Sequence, residues 1–436
     1  MNKNPMYTTR VLVDMSCTLI HHGHIRLINE AKKLGKVIVG LFTDEAVATY
    51  KKPTYLNYDQ RKMVLKNLKQ VDEIIPQISK DYTPNVNKLK PDYVVHGDDW
   101  KKGPLQAPRN KLIKTLNKWS GKLVEPTYTK NISSSQLKES ISKKGISTSD
   151  RISSLKKLLQ MKKIVRVLES HNSLTGLIIE NLNLKEKGQF LEFDGMWSSS
   201  LTDSLTRGKP DNQSVDYSTR IQNLSEIMNV TTKPVIFDAD NGGRLEHLSY
   251  LIKSLERIGV SGIILEDKKG LKKNSLFLNQ KDANQDSVGD FCKKITLAKE
   301  TKISSDLFII ARIESFIFNK GLKDAIHRAE MYSKAGADAI MIHSKANNPK
   351  EIFAFSKQFS KSKFFKPLVA VPSTYSGTTE KQLEDNGFRI VIYANQMLRA
   401  AYPAMKNAAI DILRNRRAKE IEKKITPIKE IISLIK

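Results

Sequence analysis

Residues 234–243, PVIFDADNGG, decide the fold of this chain and its first candidate site. A short apolar run ends in Asp238 and Asp240, and a pair of glycines follows. Because side chains alternate along a strand, both carboxylates are expected on one face, where the strand meets a loop. Two such carboxylates can hold Mg²⁺, which prefers oxygen ligands and usually keeps several waters. Taken alone, the segment is also compatible with a strand that ends in a solvated acidic turn.

Similar segments, apolar or rich in β-branched residues and separated by helix-length stretches, recur on both sides of this one. With it they form a set of eight: 164–170, 193–199, 234–240, 262–267, 307–315, 339–344, 367–372 and 388–394. Strands that are each followed by a helix in this way predict a (β/α)₈ barrel, an α/β fold. Several of the segments stop at a polar residue, namely Ser199, Asp240, Glu266, Arg312 and His343. Since the carboxyl ends of barrel strands gather at one rim, these side chains are expected to form one active site.

Length and charge limit the classes of function. The 436 residues leave room for two or three domains, and 39% hydrophobic with 27% charged residues is a soluble composition. The net charge of +27 is spread along the chain, which favours anionic partners such as nucleotides or phosphorylated metabolites. A genome rich in Lys, Asn and Ile codons would also produce such a net charge. A nucleic-acid-binding protein would need a clustered basic face with interleaved aromatics, and the dispersed lysines with 7% aromatics argue against one.

The cysteines and the absence of long apolar runs indicate the compartment. Cys17 and Cys292 are too few for a disulfide framework or a cysteine zinc site. The N-terminus lacks an apolar signal core, and no run approaches the roughly 18 apolar residues of a membrane span. We expect a soluble cytoplasmic protein that binds small molecules and neither nucleic acid nor membrane.

The N-terminal part of the chain has a different order of elements. Residues 9–15 predict a strand, 24–33 a helix and 36–43 a second strand, and this βαβ unit predicts a parallel, doubly wound sheet. Before the helix stand His21, Gly23 and His24. Imidazoles and backbone N–H groups at a helix N-terminus can face one anion, and glycine lets a phosphate approach the backbone. The segment therefore predicts a phosphate site.

A change of composition separates the two parts. From residue 138 to residue 154 the chain turns to Ser, Lys and Gly without an apolar stripe, as surface linkers do. We predict an N-terminal domain at 1–140, a linker at 141–154 and a barrel domain at 155–436, the last opening with a helix near Leu155.

The N-terminal part resembles the cytidylyltransferase family of nucleotidyltransferases, a doubly wound α/β fold. Four motifs carry the resemblance: HHGH (21–24), ATYKKPTYLNYDQR (48–61), KPDYVVHGDDW (90–100) and NISSSQL (131–137). The resemblance implies that an acceptor oxygen attacks the α-phosphorus of CTP and that pyrophosphate leaves. The implied catalytic and nucleotide-binding residues are His21, Gly23, His24, Lys51, Arg61, Ser133, Ser134 and Ser135. The implied acceptor contacts are His96, Asp98 and Trp100.

Two positions depart from the family pattern. Thr18 stands where relatives usually carry Asp, and Tyr128 stands where they carry an arginine before the serine motif. These departures leave open an altered acceptor, a weakened activity or a domain that only binds nucleotide.

The remainder resembles the phosphoenolpyruvate mutase family of the isocitrate lyase superfamily. The motifs include ESHNSLTG, FDGMWSSSLTDSLTRGKPD, DADNGG, LEDKKGLKKNSLF, ARIESFI, GADAIMIHSK, VPSTY and VIYANQMLRAAYPA, in this order. The resemblance implies that Asp238 binds Mg²⁺ directly, with Asp240 and Glu266 holding it through water. Trp197, Ser199, Ser200 and Leu201 would line the substrate pocket, with Ser200 at a position where some relatives have Gly. Asp211, Arg312 and His343 would surround the phosphoryl group, and Lys272 and Asn274 would belong to a gate.

The implied reaction interconverts phosphoenolpyruvate and phosphonopyruvate. The lyases of the superfamily use a cysteine on the loop after the fourth strand, and the corresponding segment DKKGLKKNSLF has none. Cys292 lies downstream in a helical stretch and is interpreted as a core residue. A phosphonopyruvate hydrolase, which shares the metal site, stays open as the alternative, although KKNS resembles the mutase gate.

Together the two resemblances imply a bifunctional enzyme of phosphonate biosynthesis. The N-terminal domain would transfer CMP to a phosphonate such as 2-hydroxyethylphosphonate or 2-aminoethylphosphonate. The amphipathic tail, residues 419–436, is a candidate oligomer contact or a helix that packs on its own barrel.

Overall fold

The computed structural model describes residues 9–49, 54, 56–101, 106–127, 146–186, 189–270, 272, 274–275 and 284–435. The chain divides into two compact units. We call them the N-terminal unit, Met1–Gly145 with Leu184–Leu191, and the barrel unit, Ile146–Asn183 with Glu192–Lys436. Among the described helices, none is long and apolar enough to cross a membrane.

A parallel sheet organises the described part of the N-terminal unit. Its strands are β1 (Arg10–Met15), β2 (Lys36–Phe42), β3 (Glu73–Gln77), β4 (Tyr93–Val95) and β5 (Lys122–Val124), in the spatial order β3-β2-β1-β4-β5. The helices are His22–Lys32, Asp44–Ala48, Tyr58–Lys66, Thr83–Leu89 and Gln106–Leu116, with 3₁₀ turns at Asp98–Trp100 and Asn117–Trp119. The strand order reverses between β1 and β4, which makes this boundary the switch point of a doubly wound fold. The predicted fold class is confirmed.

Both faces of this sheet are buried, which explains the nearly continuous apolar sequence of β1 and β2. Val11 and Val13 lie in a buried cluster with Ile28 of the helix His22–Lys32. Leu12 lies in a second cluster with Trp100. The alternation along β1 thus divides its side chains between two layers of helices.

The remainder of the chain contains the strands of the barrel and two short strand pairs. The strands are β6 (Val165–Glu169), β7 (Asn183–Glu186), β8 (Gln189–Glu192), β9 (Gly195–Ser198), β10 (Val235–Asp238), β11 (Gly262–Glu266), β12 (Lys268–Lys269), β13 (Asn284–Gln285), β14 (Phe308–Ile313), β15 (Ala339–Ile342), β16 (Leu368–Ala370) and β17 (Phe388–Tyr393). Eight of them close a parallel barrel in the order β6-β9-β10-β11-β14-β15-β16-β17. Each overlaps one of the predicted segments, so the predicted barrel is confirmed. The strands β7 with β8 and β12 with β13 form separate pairs.

The helices of this part follow the strands. They are Thr148–Met161, Ser173–Asn181, Ser200–Leu205, Tyr217–Asn229, Leu245–Ile258, Val288–Thr301, Gly321–Lys334, Lys350–Phe359, Glu380–Asp385, Gln396–Asn415, Lys419–Glu422 and Ile428–Ile432. The first begins at Thr148, where the Ser147 hydroxyl accepts a hydrogen bond from the Asp150 N–H at 3.1 Å. The second half of the predicted linker 141–154 is therefore helical, and that part of the prediction was wrong.

Side-chain alternation on β10 places the decisive carboxylate at the rim. Ile236 belongs to the cluster inside the barrel, with Ile264 of β11. Phe237 packs instead with residues of the surrounding helices, such as Leu248. Asp238 is two residues after Ile236, so it points inward at the carboxyl end of its strand.

Candidate active sites

Asp238 is a buried carboxylate in a polar setting at the barrel rim. It is 2% exposed. The Ser200 hydroxyl donates to Asp238 Oδ2 at 3.1 Å, and the backbone N–H of Asp240 donates to Oδ1 at 3.1 Å. Burial alone would raise the pKa of Asp238, but the charges of Lys272, Arg312 and Arg220 outweigh burial and lower it. Asp238 is therefore an anion at neutral pH.

Asp240 lies between two cations. Its backbone has a φ of 50°, in the left-handed region, which turns the chain directly after β10. Lys272 Nζ lies 2.5 Å from Asp240 Oδ1, and Arg220 NH1 lies 3.4 Å from Oδ2. The Lys272 ammonium also lies 3.0 Å from Asp211 Oδ1 and donates to the Ser200 hydroxyl.

Lys272 carries a firmly held positive charge. It is 6% exposed. Burial opposes the charged form, but Asp240, Asp238 and Asp211 outweigh it and raise the pKa of Lys272. The other gate residue, Asn274, donates from Nδ2 to Asp211 Oδ2 at 2.8 Å. The structure thus brings the predicted gate residues together with the predicted phosphoryl-contacting Asp211.

Glu266 ends β11, where its backbone N–H donates to the Asp240 carbonyl at 2.8 Å, and it is 1% exposed. Among the described residues, neither of its carboxylate oxygens has a hydrogen-bond donor. The nearest charges are Arg312 NH2 at 3.5 Å and Lys268 Nζ at 3.9 Å from Oε2. Burial raises the pKa of Glu266 to about 7, against the lowering effect of Lys268 and Arg312. A buried carboxylate in this position needs a further partner.

The oxygen donors fit a hard cation. Asp238, Asp240 and Glu266 supply carboxylates at one rim, and both oxygens of Glu266 lack a donor among the described residues. In the described part of the chain, no three His, Cys, Asp or Glu side chains converge as direct metal ligands. Magnesium commonly binds one or two carboxylates and keeps several waters, so it does not require such convergence. The residues therefore fit a Mg²⁺ ion that keeps several of its waters.

Arg312 lies on β14, His343 directly follows the neighbouring strand β15, and the two meet at a shared carboxylate, Glu314. Arg312 Nε donates to Glu314 Oε1 at 2.5 Å, and His343 Nδ1 lies 2.8 Å from the same oxygen. Arg312 NH2 lies 2.9 Å from His343 Nδ1. Burial lowers the pKa of His343, with Arg312 adding to this and Glu314 opposing it. The histidine is neutral at pH 7 and fixed beside the guanidinium.

Glu314 is a site residue that the sequence reasoning missed. It is completely buried and also accepts from the Ser275 hydroxyl at 2.9 Å. The neighbouring Arg312 holds its pKa well below the usual range against burial. The signal was present, because Glu314 stands two residues after Arg312 in ARIESFI and so belongs to the same strand face.

The predicted substrate-pocket residues cluster at the end of β9. Trp197 is buried in the barrel cluster. Ser199 precedes the helix Ser200–Leu205, so the N–H groups of Ser200 and Leu201 belong to its first turn, where no intrahelical acceptor exists. The Ser200 hydroxyl adds the bond to Asp238 described above, which a glycine could not make.

The N-terminal candidate site follows β1 and β4, the two strands that flank the switch point. His21 is the N-cap of the helix His22–Lys32, which begins two residues earlier than predicted. The Gly23 N–H donates to His21 Nδ1 at 3.2 Å, and the His21 N–H donates to His24 Nδ1 at 3.3 Å. Since Nδ1 of each ring accepts, each neutral imidazole carries its proton on Nε2. Burial and the neighbouring His22 lower the pKa of His21.

His96 and Trp100 form a stacked pair after β4. Their ring centroids are 3.8 Å apart and the planes differ by 14°. Trp100 is completely buried and donates from Nε1 to Glu125 Oε1 at 2.7 Å. Glu125, which the sequence reasoning missed, also pairs with Arg109 through both oxygens at 2.7 Å. Trp100 is thus a support for the His96 ring, while Asp98 begins the 3₁₀ turn between them.

Arg61 is a structural cation in this unit. It is completely buried, with NH1 donating to the Ser16 carbonyl at 2.5 Å and NH2 to Asp44 Oδ1 at 2.6 Å. Its predicted contact with nucleotide stays a prediction. The predicted residues Lys51, Ser133, Ser134 and Ser135, and the departure at Tyr128, lie outside the described residues.

Asp14 in β1 is 3% exposed and has no hydrogen-bond partner among the described residues, and burial raises its pKa well above the usual value. The sequence reasoning passed over it, although one acidic residue in an apolar strand was a signal.

Cys292, in the helix Val288–Thr301, packs against the barrel core as predicted.

Known proteins match both parts of the chain. A family model described as phosphoenolpyruvate phosphomutase matches residues 155–413, and a cytidylyltransferase-like model matches residues 18–167. Phosphoenolpyruvate phosphomutase of Tetrahymena pyriformis is 33% identical over 292 residues, which cover 66% of this chain and 92% of that protein. Glycerol-3-phosphate cytidylyltransferase of Staphylococcus aureus is 38% identical over 93 residues, 21% of this chain and 70% of that protein.

Solved structures also match the barrel part of this chain. The crystal structure of phosphonopyruvate hydrolase in complex with oxalate and Mg²⁺ is 30% identical, with a TM-score of 0.58, and the match covers 65% of this chain and 94% of that one. The phosphomutase model spans more than half of the present chain, including every barrel strand. The chain therefore belongs to the phosphoenolpyruvate phosphomutase family and carries a cytidylyltransferase-like N-terminal part.

Proposed function

We propose that the chain is a bifunctional enzyme of phosphonate biosynthesis. The barrel moves the phosphoryl group of phosphoenolpyruvate from the enol oxygen to carbon, so one P–O bond breaks and one P–C bond forms in phosphonopyruvate. The N-terminal unit transfers CMP from CTP to a phosphonate oxygen and releases pyrophosphate. The observation that carries the barrel reaction is the rim itself, where Asp238 and Glu266 face Arg312, His343 and Lys272.

Different groups of the chain bind the substrate and stabilise the charge that develops in the barrel reaction. The N–H groups of Ser200 and Leu201 hold the substrate oxygens, and Arg312 with the neutral His343 stabilises the negative charge of the migrating phosphoryl group. Glu314 fixes both of these side chains. A Mg²⁺ ion bound here would be held by Asp238 directly and by Asp240 and Glu266 through water, and it would supply Lewis-acid stabilisation of the enolate charge.

Exclusion of water by the proposed gate determines whether phosphonopyruvate gives phosphoenolpyruvate or inorganic phosphate. A phosphoryl group that is being transferred reacts with water unless water is excluded. Lys272 and Asn274 both contact Asp211, as side chains that exclude water from the substrate would, which supports the mutase. Phosphonopyruvate hydrolysis is the second candidate, because the similar hydrolase structure contains oxalate and Mg²⁺.

Phosphorus NMR of the purified protein with phosphonopyruvate and Mg²⁺ separates the two candidates. Appearance of phosphoenolpyruvate is expected for the mutase. Inorganic phosphate without phosphoenolpyruvate in the spectrum, together with an equal amount of pyruvate in an enzymatic assay, would replace the mutase by the hydrolase. The equilibrium should favour phosphoenolpyruvate, so the reaction is followed in this direction.

In the N-terminal unit, the acceptor attacks the α-phosphorus in line while the Nε2–H groups of His21 and His24 stabilise phosphate charge. Lys51 and the serines 133–135 complete the nucleotide site, and His96 and Asp98 contact the acceptor. We favour 2-hydroxyethylphosphonate over 2-aminoethylphosphonate as the acceptor. Release of pyrophosphate from CTP with each compound tests this, and no release with any phosphonate would favour a unit that only binds nucleotide.

We also propose a homo-oligomer formed through the barrel unit. In the helix Gln396–Asn415, which is described throughout, no residue is buried by the chain itself. Tyr402, Met405 and Leu413 are 62%, 62% and 78% exposed on it. Such an apolar surface is typical of a protein interface.

A further inference from the structure

Arg220 is a buried guanidinium for which the proposed reaction has no role. It lies in the helix Tyr217–Asn229 and is 1% exposed. Its Nε donates to Asp203 Oδ2 at 3.0 Å, and its NH1 reaches Asp240 Oδ2 at 3.4 Å. Its guanidinium carbon lies 4.3 Å from the centre of the Phe237 ring. The cation is therefore shared between a carboxylate of the proposed metal site and a second, buried carboxylate.

Asp203 is anchored independently of Arg220. It is 1% exposed and lies in the helix Ser200–Leu205. Asn223 Nδ2 donates to Asp203 Oδ1 at 2.9 Å, and the Ser198 hydroxyl lies 3.4 Å from Oδ2. Since these bonds fix the carboxylate, Asp203 also fixes the direction in which Arg220 points.

Asp240 is in contact with two cations that come from different elements of the barrel unit. Arg220 approaches Oδ2 from a helix packed on the barrel, whereas Lys272 approaches Oδ1 from the proposed gate. Of these two cations, Arg220 is the one whose direction is fixed by the buried Asp203. The orientation of the Asp240 carboxylate therefore depends on Arg220.

Stability alone does not explain such a pair. Burying two charges costs free energy that their attraction often fails to recover, and apolar or neutral replacements of buried pairs are frequently neutral or stabilising. A function in orienting a neighbouring group explains why two full charges are placed here. Groups that orient metal-binding residues typically affect metal affinity by about 10- to 100-fold.

We propose that Asp203 and Arg220 are a positioning pair that holds the Asp240 carboxylate in the orientation required for Mg²⁺. The inference rests on the proposed function, because it presumes that the barrel uses this metal. Neither residue contacts substrate in this proposal, and both act through Asp240.

Metal binding without substrate tests the pair. Mn²⁺ replaces Mg²⁺ as the probe, and electron paramagnetic resonance measures the concentration of free Mn²⁺. The proteins compared are the wild type, Arg220→Met, Arg220→Lys and the double variant Asp203→Asn/Arg220→Met. The double variant removes both buried charges and is expected to regain the thermal stability that Arg220→Met loses. Both Met variants are expected to bind Mn²⁺ roughly 10- to 100-fold more weakly, and Arg220→Lys is expected to be intermediate.

Arg207→Met is the matched control. Arg207 NH1 lies 3.6 Å from Asp203 Oδ1 and is bound to the Asp203 carbonyl at 3.0 Å, from a partly exposed position. This variant should bind Mn²⁺ within about twofold of the wild type. Wild-type Mn²⁺ affinity in any folded Arg220 variant would overturn the inference. A wild-type protein that neither binds Mn²⁺ nor converts phosphonopyruvate would instead overturn the proposed function.

Discussion

At the scale of single residues, Asp14 makes stability depend on pH. Its carboxyl is buried in β1 without a partner among the described residues, and burial raises its pKa well above the usual value. The folded protein keeps a proton that the unfolded chain releases above pH of about 4. Stability from this group is therefore complete at lower pH and is lost as pH rises toward the folded pKa.

We expect Asp14→Asn to remove this loss. Each pH unit between the two pKa values costs the wild type about 1.4 kcal/mol, so the variant should gain relative stability as pH rises from 5 to 8. Urea unfolding at several pH values measures the difference. Asp72→Asn is the control, and its stability relative to the wild type should change with pH in the opposite direction. Hydrogen bonds from Lys32 and Val37 lower the pKa of Asp72 against the effect of burial, so this carboxylate stabilises the wild type above acid pH. Parallel pH curves for wild type and Asp14→Asn would contradict the prediction.

At the scale of elements, the segment after β11 carries the proposed gate residues Lys272 and Asn274. Asn274 and Lys272 both contact Asp211, while Lys269 of β12 points to solvent. Asn274→Ala removes a positioned contact, and misplacement of this kind typically costs about 100-fold in rate. We expect that loss in the mutase reaction, together with a larger share of inorganic phosphate in the NMR spectrum, because water enters a loosened site.

Lys269→Ala is the matched change on the same segment and should leave both the rate and the product ratio unaltered. A loss of rate in Asn274→Ala with an unchanged product ratio would mean that this asparagine aligns the substrate without excluding water.

The helix Gln396–Asn415 is the second element that carries a prediction. Tyr402, Met405 and Leu413 recur at helical spacing along one face, and the chain leaves them exposed. Met405→Asp combined with Leu413→Asp is expected to lower the molar mass measured by light scattering to that of one chain. Asn407→Asp adds a charge to another face of the helix and should not change the mass. A monomeric wild type would refute the proposed interface.

At the scale of the whole molecule, two separate chemistries are proposed for one chain. Asp238→Ala removes the proposed direct metal ligand, and a loss of about 10³-fold or more in barrel turnover follows if the metal contributes several kcal/mol. His24→Ala removes a phosphate-facing donor and should lower CTP turnover by about 10²- to 10³-fold. Each variant is expected to retain the other activity, measured by phosphorus NMR and by pyrophosphate release. Loss of both activities in a folded single variant would refute independent sites.

Local sequence determined the elements and much of the barrel site. The apolar segments matched the barrel strands because parallel strands buried on both faces require such runs. Asp238, Glu266 and Arg312 could be placed at one rim because strand ends are readable from sequence and the barrel brings these ends together. The roles of the individual residues came from resemblance to known families, which patterns of polarity do not provide.

Only the tertiary structure decided how the charges are shared. Arg220 and Asp203 are distant from Asp240 in sequence, and their pairing depends on how two helices pack against the barrel. Alternation could place Glu314 on the strand face of Arg312, but its contact with His343, and that of Glu125 with Trp100, depend on the fold. Burial likewise made Arg61 a structural cation and left Asp14 without a partner among the described residues. Periodicity reports which face a side chain occupies, whereas pairing and desolvation depend on three-dimensional neighbours, so these features could be found only in the folded chain.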